Sequence, residues 1–264
     1  MTADAAMATL MTCRLAREID DDDVVGVGLG TPLGLAAALL ARRTHAPNAQ
    51  VLTAGAISPD ADVCVCMGGA AALEGRTAGF VSHIATMEMA ERRAMTLQFL
   101  RPAQIDAAAN MNVSRVEGAD GEQMRLPGGL ATADVARLLP RLVLYHTDHR
   151  ARSLPARVDF VTGAGGGDSV LGTRGPVRLV TERAVLGFDD GGWRLETVHP
   201  GHSATEVEAN TGFRLKRDDE VYETSAPTTD ELAALAEVDR LALRELDFRS
   251  TRSAAARRLA GAQH

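Results

Sequence analysis

The chain has 264 residues, 45% of them hydrophobic and 3% aromatic, with a net charge of −7. That length exceeds what one small core needs, so one large α/β domain or two intimately packed ones are expected, and the apolar share excludes disorder for most of the chain. Scarce rings and a negative balance argue against nucleic acid as a partner, because such surfaces need stacking aromatics and a basic footprint.

Lys216 is the only lysine among 28 basic residues, and it lies in a charged stretch with Arg217, Asp218 and Asp219, which disfavours Schiff-base chemistry. Cys13, Cys64 and Cys66 form no disulfide framework, and Cys64-Val65-Cys66 lacks the second ligand pair of a structural zinc site, so a reducing, cytoplasmic compartment and no metal are expected. Residues 1–8 contain Asp4 and no positive stretch, unlike a secretory signal. Residues 24–41 are nearly apolar, but glycines and Pro32 interrupt them, so a buried strand followed by a helix fits better than a membrane span.

In chain order, Leu10, Leu15, Ala16 and Ile19 keep helical spacing, ending near residue 19 before the acidic run Asp20 to Asp23. Val24 to Val27 reads as a short buried strand, Gly28 to Pro32 as a turn, and Leu33 to Arg43 as a helix opened by Pro32. Val51 to Thr53 is the next strand, running into a loop over Ala54 to Pro59. Glu88 to Arg93 closes a helix, and Met95 to Leu100 is another strand candidate. Strands alternating with helices imply a mainly parallel, open sheet flanked by helices, with ligands beyond the carboxyl ends of the strands.

Ala131 to Leu139 reads as a helix, Leu142 to Tyr145 as a strand, Val158 to Val161 as extended, and Gly163 to Gly167 as a glycine-rich loop. The C-terminal half is then richer in β structure: Val177 to Thr181, Ala184 to Phe188 and Trp193 to Val198, the last two separated by the turn signal Asp189 to Gly192. Ser203 with Glu206 and Thr228 with Glu231 have capping-box spacing. A single domain over residues 1–250 is expected, with residues 251–264 as a flexible, Arg-, Ala- and Ser-rich tail.

The glycine turn offers backbone amides at a helix start, able to hold an anion or oxyanion, although its spacing matches neither a dinucleotide fingerprint nor a P-loop. His146-Thr147-Asp148-His149 places two imidazoles beside a carboxylate, but no further ligand cluster supports a metal. His199 in His199-Pro200-Gly201 is either a general base or part of a turn that positions the following helix. No G-x-S-x-G elbow supplies a serine nucleophile.

Several stretches taken in order carry a family likeness: Thr44-His45-Ala46-Pro47, Gln104-Ile105-Asp106 with Asn110, Arg125-Leu126-Pro127-Gly128 with Asp134-Val135-Ala136, His199-Pro200-Gly201, Asn210-Thr211-Gly212-Phe213, and Pro227-Thr228-Thr229-Asp230-Glu231-Leu232. Together they resemble the β subunit of family I CoA-transferases, the glutaconate type in particular. The resemblance implies an α/β protein that pairs with an α-like subunit, commonly as a two-plus-two heterotetramer, with the active site at the subunit junction. It also implies an acyl-CoA substrate, coenzyme A entering as part of it and no cofactor bound. In true transferases a β-subunit Glu in the loop after the second strand attacks the thioester, a role open to few other side chains.

In this chain that loop is Leu52 to Ser58, and the nucleophile position falls at or next to Ala54, which Gly55 follows, with no carboxylate there. Asp60, Glu74 and Glu88 are too far along the sequence to fill it by a small slip. The stretch Gly128-Gly129-Leu130-Ala131 also holds less glycine than the family usually has. Loss of the nucleophile resembles a subgroup that cleaves carbon–carbon bonds of acyl-CoAs, comprising a ring-opening hydrolase pair and a decarboxylase pair. The resemblance makes Gly28, Gly30, Gln104, Asp106, Gly128 and Gly129 pocket residues, with Gln104 and Asp106 equally readable as staples of a loop. The alternatives are a transferase whose carboxylate comes from Glu74, Glu88 or the partner, and a non-catalytic scaffold completing the partner's site.

Overall fold

A computed structural model describes residues 2–28, 30–118, 120–166, 171–189 and 192–262. The chain divides into two compact units, residues 1–100 with 226–264 and residues 101–225, a finer division than one domain over 1–250.

The first unit begins with α1 (Ala3–Ala16), whose Thr2 hydroxyl accepts from the Ala5 amide. Sequence spacing extends this helix to residue 19, but tighter bonds take over after Ala16, from the Glu18 amide to the Leu15 carbonyl and from Ile19 to Ala16. β1 (Val24–Val27) and α2 (Pro32–Arg43) account for the apolar stretch, and α2 is buried from Pro32 to Ala41. Its alanines let neighbouring elements approach closely, and Asp247, from far along the chain, caps it by accepting from the Leu33 amide at 3.2 Å. β2 (Gln50–Thr53), β3 (Ala56–Ile57), α3 (Val63–Met67), β4 (Gly79–Phe80), α4 (His83–Glu91) and β5 (Leu97–Leu100) follow. β1 pairs in parallel with β2 and β5, while β3 pairs antiparallel with both β2 and β4.

In the second unit, β6 (Gln104–Ile105) pairs antiparallel with β7 (Met111–Asn112), and β8 (Arg115–Glu117) with β9 (Gln123–Arg125). Next come α5 (Thr132–Leu138), β10 (Arg141–His146), β11 (Pro176–Thr181), β12 (Ala184–Asp189), β13 (Gly192–Val198), α6 (Ala204–Ala209) and β14 (Lys216–Glu223). β10 with β11 and β13 with β14 are parallel, and β11-β12-β13 is an antiparallel meander. Trp193 is buried, packs on Phe188 and donates its indole N–H to the Asp106 carbonyl at 2.9 Å. Residues 158–161, read as extended, join no strand. Side chains hold that segment where a ladder would. Parts of several sequence readings lie outside the described residues: Met1 at the start, Leu29 in the turn after β1, Gly167 in the glycine-rich loop, Asp190-Gly191 in the later turn and residues 263–264 of the tail.

The chain returns to the first unit with α7 (Thr229–Val238), where Thr228 and Glu231 form the full capping box. The Glu231 carboxylate also accepts two bonds from Arg17, each 2.7 Å. Residues 252–262, inside the stretch read as a flexible tail, form α8 (Arg252–Ala262). Ala255 is buried, and Arg258 ties the helix to the Leu241 and Ala242 carbonyls and to Glu245. Among the described residues no helix is long and apolar enough to cross a membrane.

Candidate active site

Strand direction brings three segments of the first unit to one edge. Val27 and Thr53 are register partners at the carboxyl ends of the parallel strands β1 and β2. β3 runs back and β4 runs forward again, so β4 also ends at that edge. Gly28 and Gly30, Ala54 and Gly55, and residues 81–83 therefore emerge together, where open α/β sheets bind ligands. Gly28 is half-buried, its carbonyl accepting from the Thr31 hydroxyl at 2.6 Å, and Gly30 is exposed with φ 73°.

The loop read over Ala54 to Pro59 is a tight hairpin instead. Thr53 pairs with Ala56, leaving Ala54 (φ 50°) and Gly55 (φ 80°) as a two-residue turn. Two positive φ angles in succession are the pattern of a type I′ turn. Sequence hides it because Ala-Gly is not the usual Asn-Gly signal. Ala54 is half-buried and has nothing beyond Cβ. A Cβ at Gly55 would stand 3.1 Å from the Val81 carbonyl oxygen, so glycine is required both by φ and by close approach.

The Gly55 carbonyl accepts from the Val81 amide at 2.8 Å. The next residue, Ser82, caps α4 by accepting from the Ala85 amide at 3.1 Å, and His83 opens the helix in an exposed position. Sequence reasoning located the end of this helix but missed its start. Ser82 before an apolar run was the available signal. Asp60, Glu74 and Glu88 are all exposed.

In the second unit Gln104 and Asp106 are buried. Asp106 accepts from the amides of Ala108 (3.0 Å), Asn110 (2.9 Å) and Val158 (3.2 Å) and from the Asn110 side chain (3.1 Å). Gln104 donates to Asp159 and accepts from Asn112 and from the Asp159 amide. The two do not bond each other; both fasten residues 158–159. Gly128 is exposed with φ 94°, and its amide donates to the Val113 carbonyl. At Gly129 a Cβ would collide with Thr162 Cγ2 at 2.4 Å.

The histidines singled out by sequence are built into the second unit. His149 sits between the Thr181 and Thr211 hydroxyls, and burial, with Arg183 adding to it, lowers its pKa to about 3. His146 is lowered to about 4 by burial and by Arg101. His199 is fully buried between the Thr224 hydroxyl and the Thr181 carbonyl, which supports the turn-positioning reading. Burial raises the thiols of Cys13 and Cys66 to about 12, and raises Cys64 as well. None has the lowered pKa of an activated nucleophile. No group of three or more His, Cys, Asp or Glu able to hold a metal occurs among the described residues.

Parallel strands with small, glycine-bearing turns at their carboxyl edge are the arrangement at which open α/β proteins commonly bind ligands. No family model matches the chain. It is 30% identical over 241 residues to the β subunit of 3-oxoadipate CoA-transferase from Pseudomonas knackmussii, covering 86% of this chain and 90% of that one. The β subunit of glutaconate CoA-transferase from Acidaminococcus fermentans is 27% identical over 226 residues, covering 76% and 80%. Among solved structures, the decarboxylase AibA/AibB matches with a TM-score of 0.81 and 27% identity over 92% of this chain and 98% of that one. Rhodococcus jostii RHA1 IpdAB shares the fold, with a TM-score of 0.75 and 22% identity over 94% and 98%. The chain belongs to the family of CoA-transferase β subunits, and its open, mainly parallel α/β architecture is that of its structural neighbours.

Proposed function

We propose that this chain is the β-like subunit of a heteromeric enzyme that cleaves a carbon–carbon bond of an acyl-CoA, by hydrolysis or decarboxylation, without an acyl-glutamyl intermediate. The observation that supports the reading is Ala54: at the position where the family resemblance puts the nucleophilic carboxylate, or next to it, the turn after β2 carries only a methyl group. Similarity to the AibA/AibB decarboxylase supports the same direction.

A thioester with a β-keto or vinylogous carboxylate can lose a carbon fragment when fixed N–H donors stabilise the developing enolate oxygen. In this reading amides near Gly28, Gly30 and Gly55 face the thioester, while Gln104, Asp106, Gly128 and Gly129 shape and hold the pocket loops. An α-like partner completes the site in a two-plus-two heterotetramer working in the cytoplasm. Coenzyme A is part of the substrate, and no separate cofactor is needed.

Co-purification with the α-like partner, followed by product analysis on a panel of acyl-CoAs with and without acid acceptors, tests this. The reading expects a cleaved or shortened acyl product whether or not an acceptor is present. Intact acyl groups exchanged between CoA and added acids would overturn it.

A further inference from the structure

Resting on the proposed acyl-CoA cleavage, we propose that His83 is the proton donor this chain contributes to the reaction. Three observations converge. First, β4 runs parallel to β1 and β2 and ends at the same sheet edge, two strands over from β2 and three from β1, so the residues following it emerge on the side of the Ala54 turn. Second, the bond from the Val81 amide to the Gly55 carbonyl fixes the spacing: two residues span at most ~7 Å of chain, so His83 starts close to the turn.

Third, His83 is exposed and unengaged. Among the described residues, His45, His146, His149, His199 and His202 each have a ring nitrogen in a hydrogen bond, and His83 alone has none. An exposed imidazole with neither nitrogen held by the fold can present either one to a substrate, as general acid–base work requires.

The step balances simply. When the carbon–carbon bond breaks, its electron pair passes into the thioester enolate, and the departing fragment leaves as carbon dioxide or, when water has added to its carbonyl and released one proton to solvent, as a carboxylic acid. The imidazolium then gives one proton to the enolate carbon. An N–H bond breaks, a C–H bond forms, and the neutral ring recovers its proton from solvent.

His83→Ala and His83→Asn are compared with wild type in the complex with the α-like partner, with acyl-CoA cleavage as the readout and free imidazole added in a parallel series. The expected result is a roughly 10²- to 10³-fold fall in kcat with KM changed less than threefold, and partial recovery of His83→Ala by imidazole. Because the position is exposed, both variants are expected to melt with the wild-type protein. Turnover within twofold of wild type in either variant overturns the assignment and leaves the cleavage reading standing. A fall that imidazole does not relieve also overturns it, since a structural role would behave that way. If the wild-type complex cleaves no acyl-CoA, the cleavage reading itself fails and the His83 role falls with it.

Discussion

The Val81 amide donates to the Gly55 carbonyl at 2.8 Å, and that bond holds the approach to α4 against the turn that presents Ala54. The turn is thereby fixed from both sides, by pairing of Thr53 with Ala56 and by the strand that follows. Position 54 therefore lies at the carboxyl edge of the parallel strands, held there by backbone bonds of its neighbours.

The conformation of Ala54 has a cost. An L-residue in the left-handed region is disfavoured by about 1–2 kcal/mol, and asparagine is disfavoured less. Ala54→Asn is therefore expected to stabilise the chain by roughly 0.5–1 kcal/mol and raise Tm by about 1–4 °C. Gly55→Ala, with a Cβ 3.1 Å from the Val81 oxygen, is expected to lower Tm. Thermal unfolding of the two variants checks both signs.

Asp106 takes four donors with two oxygens. Asp106→Ala leaves buried N–H groups without acceptors and is expected to destabilise the chain by about 2–3 kcal/mol. Urea unfolding measures it. An Asp106→Ala chain with unchanged stability would show that these bonds hold nothing together.

His146 and His149 are buried with folded pKa values of about 4 and about 3, below the ordinary 6.5. The unfolded chain therefore binds more protons between those values and 6.5. Their contribution is present above pH 6.5 and is lost as pH falls, down to about 4 for His146 and about 3 for His149, with a slope approaching about 1.4 kcal/mol per pH unit for each imidazole. Urea midpoints measured from pH 7 to pH 5 are expected to fall, and to fall less steeply in His149→Gln.

Legibility followed the range of the determining contacts. Val24–Val27 and the helix after Pro32 are set by local apolar runs and by proline, and both are visible in the sequence. The hairpin at Ala54 was hidden because its turn residue is an alanine in a conformation that alanine seldom takes. β4 has only two residues, too few to show a period, so the return to the edge and the placement of His83 required coordinates. α8 is held by Arg258 against carbonyls sixteen and seventeen residues earlier, which composition alone does not reveal. Gln104 and Asp106 stood out in the sequence, but only their partners show which loop they fasten.

The central claim is that this chain takes part in acyl-CoA cleavage without becoming acylated. Intact mass spectrometry of both subunits, after the complex has been incubated with acyl-CoAs, tests it most directly. The account predicts no added mass on this chain while carbon dioxide, a free acid or a shortened acyl-CoA accumulates. A mass gain on this chain that hydroxylamine or borohydride discharges would contradict it and would locate a carboxylate doing the work absent at Ala54.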